Sequence, residues 1–132
     1  MRRPKGNEAT EWWIKKEVKK ILEAAKWDSW MPAASVYGTN GISDFLCIKK
    51  PRLLVAIETK YDDVVTAQQF KFLTAIHNAG HYALVVDETN IGGLHKLLTS
   101  IEDDSVDLIP MMQPFLKWMN QNPIIDVKIA KS

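Results

Sequence analysis

The stretch LLVAIETKYDD, from Leu53 to Asp63, decides the fold, because an apolar run in it ends abruptly in charged residues. Five consecutive apolar residues, Leu53–Ile57, are typical of a strand buried on both faces. Glu58 and Lys60 follow, and because strand side chains alternate with a period of two, both point to the same face. A buried carboxylate or ammonium costs free energy unless it is paired or binds a metal. The end of this strand is therefore either a salt bridge at the rim of a sheet or a functional site.

The sequence on either side of this strand predicts a mixed α/β fold. Apolar residues at helical spacing indicate a first helix with Thr10 as its N-cap. The turn KKPR before Leu53 predicts an antiparallel hairpin, and the following helix predicts a crossover to a parallel strand. The predicted elements are helix 10–26, strands 29–31, 44–48 and 53–60, helix 66–79, strand 82–86, helices 92–100 and 110–120, and a loose tail. We expect an α-β-β-β-α-β order around a mixed sheet flanked by helices, with C-terminal helices added.

Length and composition are those of one soluble domain. The 132 residues suffice for a single hydrophobic core, and the hydrophobic share of 46% and charged share of 25% are ordinary for a globular protein. No apolar run approaches the roughly 20 residues of a membrane span, and the N-terminus lacks the apolar core of a secretory signal. The single cysteine, Cys47, excludes an internal disulfide and a cysteine-based zinc site. We expect an intracellular protein with no membrane partner.

Two carboxylates are expected side by side at one end of the hairpin. Asp44 opens one strand and Glu58 closes the next, and the start of an antiparallel strand lies beside the end of its neighbour. Two like charges repel, and the arrangement becomes tolerable if a cation bridges them. Hard oxygen ligands suit Mg²⁺ or Mn²⁺, with Lys60 alongside. The alternative is a rim salt bridge between Lys60 and one of these carboxylates.

Four short motifs stand in order along the predicted elements. They are Glu11 with apolar residues three, seven and eleven positions on, GISD at 41–44, IETK at 57–60, and TAQQFKFLTAIHNAGH at 66–81. Together they resemble the VRR-NUC branch of the PD-(D/E)XK nucleases over residues 10–86. Residues 87–132 would be a helical extension of the same single domain. Ser43 and Thr59 depart from the family's usual Pro and aliphatic residue, and Glu17 is a poorer match than Glu11 for its helix carboxylate.

The resemblance implies a restriction-endonuclease-like core that hydrolyses phosphodiester bonds with Mg²⁺ or Mn²⁺. The metal ligands it implies are Asp44, Glu58, the backbone carbonyl of Thr59 and, through water, Glu11. Lys60 would position the attacking water and stabilise the transition state. Counting back from Gly80 assigns the family's glutamine to Gln69 rather than Gln68, and this residue would orient the Lys60 amine or the water.

The basic first helix and the C-terminal helix are the predicted contact surfaces. Residues 1–27 hold eight Lys and Arg against four Glu, a net charge of +4. The lysines that would track DNA phosphates are Lys15, Lys16, Lys19 and Lys20, and the alternative is a solvated helix face. Small stand-alone members of the family resemble homodimers that cut branched DNA such as Holliday junctions. The apolar stripe on helix 110–120 would supply the dimer surface, unless it covers the sheet of its own chain.

Two other functions stay open on the sequence alone. A sequence-specific restriction-type nuclease needs a base-reading element, which residues 87–132 could supply. A non-catalytic nucleic-acid-binding module could keep the nuclease fold, although it would not need all four of Asp44, Glu58, Lys60 and Gln69. Most of the tryptophans are expected to pack in the core, with Trp12 or Trp13 as the exception that could stack on a base.

Overall fold

The chain forms a four-stranded mixed sheet with helices on both faces. A computed structural model describes residues 7–32 and 43–121. In chain order the elements are α1 (Asn7–Ala24), β1 (Asp28–Trp30), β2 (Phe45–Lys49), β3 (Leu53–Thr59), α2 (Ala67–Asn78), β4 (Tyr82–Val86), α3 (Leu94–Ser100) and α4 (Ile109–Met112). Short 3₁₀ turns lie at Ile91–Gly93, Gln113–Phe115 and Lys117–Asn120. The predicted α/β class and the order of its elements are confirmed.

The sheet brings the ends of β2 and β3 together as the hairpin predicts. Its strand order is β1-β2-β3-β4, with β2 antiparallel to β1 and β3, and β4 parallel to β3. Phe45 pairs with Ile57, so Asp44 falls beside Glu58 one step further along. The Lys60 N–H donates to the Val86 carbonyl at 3.0 Å, which continues the parallel ladder just past β3. The charged end of β3 is therefore held between two neighbouring strands.

Different helices cover the two faces of this sheet. Alternation along β4 sends Leu84 and Val86 to one face, and Ala83 and Val85 to the other. Helices α1 and α3 cover the first face through Ile14, Val18, Leu22, Leu94, Leu97 and Leu98. Helix α2 and the last 3₁₀ turn cover the second face through Leu73 and Trp118. Because both faces are covered at β3 and β4, these strands are apolar except for Glu58 and Thr59 at the end of β3.

Two predicted boundaries at the first helix are wrong. Helix α1 begins at Asn7, so Thr10 is a buried residue within the helix and not its N-cap. The helix continues back through Glu8 and Ala9 because both are good helix formers. It also stops at Ala24, two residues before the predicted end, where the chain turns through a left-handed residue, Lys26. Apart from the predicted helix over residues 110–120, the other strand and helix boundaries differ from the predicted ones by a few residues at most.

The predicted single helix over residues 110–120 is also wrong. The segment is broken into α4 and two 3₁₀ turns, because Pro114 has no N–H to donate and its ring crowds the preceding turn. Phe115 and Trp118 are each 2% exposed, and the Trp118 Nε1–H donates to the Ala83 carbonyl at 3.0 Å. The segment thus covers the sheet of its own chain, which is the alternative to a dimer surface there.

Part of the sheet surface stays open to solvent on the side of α2. Helix α2 packs against β3 and β4, while Trp30 on β1 and Ile48 on β2 are exposed. Among the described residues, no helix has the length and hydropathy needed to cross a membrane. Gly41 of the GISD motif and the predicted C-terminal tail lie outside the described residues.

Helices α1 and α2 end in the same hydrogen-bonded motif with different residues at its left-handed position. After α1, the Trp27 N–H donates to the Leu22 carbonyl at 2.9 Å, and Lys26 has a φ of 63°. After α2, the His81 N–H donates to the Ile76 carbonyl at 3.2 Å, and Gly80 has a φ of 91°. A side chain at such a φ strains the backbone, whereas glycine adopts it freely.

This difference predicts opposite effects for two substitutions. Lys26→Gly should raise the free energy of unfolding by about 1 kcal/mol, since Lys26 is exposed and loses only strain. Gly80→Ala should lower it by a similar amount, although an added Cβ meets no atom within 4 Å. Urea denaturation measures the free energy of unfolding of both variants. A change of the same sign in both would contradict the assignment of one shared motif to the two helix ends.

Candidate active site

Asp44 is fixed between the end of β3 and helix α1. The Thr59 backbone N–H and hydroxyl both donate to Asp44 Oδ2, at 2.8 and 2.6 Å. The Lys15 Nζ lies 3.6 Å from Asp44 Oδ1. Burial alone would raise the pKa of Asp44, but the hydrogen bonds from Glu58 and Thr59, with the Lys15 charge, lower it. Asp44 is therefore held as an anion at the end of the sheet.

Glu58 is a buried carboxyl in direct contact with Asp44. Its side chain is hydrogen-bonded to Asp44, and the residue is only 3% exposed. Burial first, and then the hydrogen bond to Asp44 and its charge, raise the pKa of Glu58 from 4.5 to about 9. The protonated Glu58 thus donates to ionised Asp44. Glu58 Oε2 is buried with no hydrogen-bond partner in the described part of the chain.

Lys60 lies on the same face of β3 as Glu58, but it does not form the rim salt bridge that was the alternative to a metal site. Lys60 is only 7% exposed, and alternation places it on the same face as Glu58. Its charge lowers the pKa of Glu58, against the larger effect of burial. Within residues 7–32 and 43–121, however, the ion pair at the site joins Asp44 to Lys15 and not to Lys60. The sequence-based alternative therefore named the wrong lysine.

Helix geometry separates the two candidate carboxylates of α1. Glu11 precedes Lys15 by four residues, so the two lie about 40° apart around the helix and on neighbouring turns. Glu17 is two residues from Lys15 and lies on nearly the opposite side, where the Lys20 Nζ approaches it at 3.4 Å. Glu11 is consequently on the side of α1 that reaches Asp44, and Glu17 is not. No third carboxylate joins Asp44 and Glu58 in the described ranges, so the role of Glu11 through water stays a prediction.

Gln69 has a structural task at the start of α2. Its Oε1 accepts from the Thr66 N–H at 2.9 Å, and its own N–H donates to Thr66 Oγ1 at 3.2 Å. This reciprocal pair is a capping box, which satisfies two backbone donors that a helix start leaves unpaired. The side-chain amide Nε2 is the group left for the predicted role of orienting Lys60 or a water molecule.

The four basic residues predicted to contact DNA do not form one uniform face. Lys15 contacts Asp44, and Lys20 lies beside Glu17. Lys16 has its Nζ 4.6 Å from the centre of the Trp12 ring, and Lys19 is exposed. Sequence reasoning missed the contact of Lys15 with the site. Its spacing of four residues from Glu11 was the available signal, because it places both side chains at the edge of the buried stripe.

The donor set fits a magnesium-type cation. Asp44 and Glu58 are adjacent carboxyls, and Glu58 Oε2 is buried with no hydrogen-bond partner in residues 7–32 and 43–121, so a cation bound here would replace the proton on Glu58. The described residues hold no group of three or more His, Cys, Asp and Glu side chains suited to a metal. Mg²⁺ is commonly bound through one or two carboxylates and several waters, so a pair is sufficient. Thr59 already holds Asp44, and its backbone carbonyl remains the predicted further ligand.

Comparison with known proteins adds no assignment for this chain. No protein-family model matches it, and no curated protein sequence matches it significantly. The resemblance to VRR-NUC nucleases therefore depends on the four motifs and on the side chains that the fold brings together.

The raised pKa of Glu58 predicts a stability that falls with rising pH in metal-free protein. Between pH 4.5 and about 9 the folded state keeps a proton that the unfolded chain releases. This stabilisation is complete below pH 4.5, the pKa of Glu58 in the unfolded chain. It is lost as the pH rises through about 9, the pKa of Glu58 in the folded state. Thermal unfolding in EDTA from pH 5 to 9 should therefore show a declining melting temperature, and Glu58→Gln should flatten the decline.

The matched control is Glu23→Gln, a substitution at an exposed position of α1. It should keep the pH dependence of the wild-type chain. An unchanged decline in Glu58→Gln would show that the proton is not held at Glu58. The lowered pKa of Asp44 acts only in the acid range, where its stabilisation is lost as the pH falls.

Proposed function

We propose that this protein is a Mg²⁺- or Mn²⁺-dependent DNA endonuclease of the VRR-NUC type, which hydrolyses phosphodiester bonds. One observation carries the proposal. Asp44 and Glu58 share a hydrogen bond at the adjoining ends of two strands, and Glu58 Oε2 is buried without a partner among the residues that the structure describes. This contact between residues of two separate motifs supports the proposal.

A purely structural role would explain this arrangement poorly. Burying the Glu58 carboxyl and the Lys60 amine beside the partly buried Asp44 costs free energy that a network with a complete set of partners would offset. Here Lys60 forms no ion pair with either carboxyl within 4.0 Å, and Glu58 has to keep a proton at neutral pH. Ionisable groups with strongly shifted pKa values cluster at functional sites. The site therefore favours binding of a cation and a charged substrate.

The roles of the side chains follow from their positions. Asp44 and Glu58, with the Thr59 carbonyl, would hold the metal ion. A bound ion of this kind lowers the pKa of a coordinated water and offsets charge on the phosphate. Lys60 would position the attacking water and stabilise the negative charge that develops in the transition state. Lys15 balances the charge of Asp44 and supplies a cation at the edge of the site, where a phosphate would approach.

The substrate that we propose is DNA, in branched form. The exposed lysines Lys16 and Lys19 extend from the site along α1 and would contact phosphates. A two-fold homodimer would provide two sites for paired cuts across a junction. Such a dimer would need a surface other than the segment with Phe115 and Trp118, which is buried in its own chain.

A non-catalytic nucleic-acid-binding module is the second candidate, and one observation favours it. Gln69 takes part in the capping box of α2, so its presence has a structural explanation apart from catalysis. Glu58 and Lys60 have no comparable explanation, because in the described part of the chain Glu58 Oε2 has no hydrogen-bond partner and Lys60 forms no ion pair. Loss of cleavage in variants of these residues distinguishes the two functions, because a binding module would cleave no DNA even before substitution.

Substitution of either carboxyl should remove metal-dependent cleavage. We expect Asp44→Asn and Glu58→Gln to abolish cutting of four-way, flapped and linear DNA with Mg²⁺ or Mn²⁺, while both variants remain folded. Without metal, Glu58→Gln should match or exceed the wild-type melting temperature at pH 8, since it removes a buried acid that is costly to ionise. Mg²⁺ should raise the melting temperature of the wild type and not of either variant.

Asp104→Asn is the control for these variants, because Asp104 is an exposed acid far along the chain. It should cut DNA like the wild type and keep the metal-induced shift in melting temperature. Cleavage at wild-type rates by both Asp44→Asn and Glu58→Gln would contradict the assignment of the site. Wild-type protein that cuts none of the three DNAs with either metal would contradict the nuclease function.

Loss of the Lys60 amine should affect turnover far more than binding. Removal of one transition-state donor lowers a rate by about 10²–10³-fold. Lys60→Met keeps most of the buried stem and removes the charge, so the fold should tolerate it. Single-turnover cleavage and DNA binding in EDTA separate the two effects. Equal losses in rate and affinity would instead identify Lys60 as a simple phosphate contact.

A further inference from the structure

Trp12 is a large aromatic side chain exposed on α1, the helix that contacts the candidate active site through Lys15. It is 56% exposed, whereas Trp27 and Trp118 are buried in the two cores. The Lys16 Nζ lies over its ring at 4.6 Å from the centre. Because more than half of the side chain is exposed and a lysine lies over the ring, Trp12 presents an aromatic surface to solvent next to a positive charge.

The position of Trp12 relative to Asp44 follows from α1. Trp12 is three residues before Lys15, so the two side chains are neighbours on the helix surface, about 60° apart. Lys15 in turn reaches Asp44 at 3.6 Å. A strand whose phosphate lies at Asp44 and Glu58 would therefore pass within reach of the Trp12 ring.

We propose that Trp12 stacks on an unpaired base next to the phosphate that is cleaved, so that the preferred substrate has unpaired nucleotides at the cut. This inference depends on the proposed nuclease function and adds to it the class of DNA selected. Bases within a continuous duplex are stacked on both sides and offer no free face. A base at a flap, a gap or an open junction offers one, and every base has a face that an aromatic ring can bind.

The charges around Trp12 also fit an unpaired nucleotide and its flanking phosphates. Lys15, Lys16 and Lys19 lie on the adjoining strip of α1 and would contact the phosphates on either side of the stacked base. Trp30 is similarly exposed, at 57%, but lies on edge strand β1. In the described ranges a lysine lies over Trp12 and none over Trp30. Trp30 is therefore the matched comparison for an exposed tryptophan without a phosphate-binding neighbour.

The test is DNA binding by the full-length chain in EDTA, which prevents metal-dependent cleavage. Three fluorescently labelled DNAs of the same length are compared: a linear duplex, a duplex with a single-stranded flap, and the same flap with abasic sites next to the junction. Fluorescence anisotropy gives the affinity for each DNA, for the wild type and for Trp12→Ala, Trp12→Phe, Trp30→Ala and Lys16→Ala. Circular dichroism and melting temperature confirm that each variant is folded.

Stacking of Trp12 on a base predicts a loss of affinity that is limited to DNA with unpaired bases. Trp12→Ala should bind the flapped DNA about 5- to 150-fold more weakly, which corresponds to the about 1–3 kcal/mol of base–aromatic stacking. Its affinity for the duplex and the abasic flap should not change, and Trp12→Phe should be intermediate. Trp30→Ala should behave like the wild type. Lys16→Ala should weaken binding to all three DNAs and reduce the salt dependence, as expected for a phosphate contact.

Several outcomes would overturn the proposal while leaving the nuclease function intact. They are an equal loss on all three DNAs in Trp12→Ala, no loss on any of them, and a flap-selective loss that appears in Trp30→Ala instead. A change of molecular mass in Trp12→Ala, measured by light scattering, would identify Trp12 as a contact between chains. Wild-type protein that neither binds nor cleaves these DNAs would refute the nuclease function itself.

Discussion

The carboxylate of Asp44 is the group on which the candidate site depends. It accepts two hydrogen bonds from Thr59 and one from Glu58, and it pairs with Lys15. These contacts join the start of β2, the end of β3 and helix α1 at one edge of the sheet. Because the acceptor is charged, each hydrogen bond is stronger than one between neutral groups. Because Glu58 donates one of these hydrogen bonds, the position of Asp44 also determines the position of the Glu58 carboxyl.

The buried Glu58 carboxyl lowers the stability of the fold at the same edge of the sheet. The strand that carries Glu58 is buried on both faces, which is what raises the cost of ionising that carboxyl. A site of this kind persists because the cores on either side of β3 hold the strand in place independently of the charged residues. The cost of ionising Glu58 is what the proposed binding of a cation would offset.

One face of helix α1 packs in the hydrophobic core, and a neighbouring face carries the side chain of Lys15 that contacts Asp44. Ile14, Val18 and Leu22 are fully buried in the core and fix the rotation of the helix about its axis. That rotation places Lys15 against Asp44 and leaves Trp12 exposed one turn earlier. The same residues that stabilise the fold therefore determine which polar side chains of α1 can approach Asp44.

Several features of this protein follow from local pattern alone. The apolar run Leu53–Ile57, the turn before it and the helix ended by Gly80 predict the hairpin, the crossover and the parallel fourth strand, all of which the structure has. Strand pairing then requires Asp44 to lie beside Glu58. These predictions succeed because hydrophobic periodicity and turn chemistry act over a few residues.

Other features were decided by tertiary structure. The partner of Asp44 is Lys15 rather than Lys60, and the hydroxyl of Thr59, which looked like a departure from the family pattern, is a hydrogen-bond donor to Asp44. Pairing of this kind depends on the rotation of one helix and on the reach of individual side chains across a sheet edge. The segment around Pro114 likewise follows the surface of its own core instead of continuing as a helix. The sequence by itself determined which residues approach one another, and packing determined which of them make contact, because contact depends on distances that no local pattern encodes.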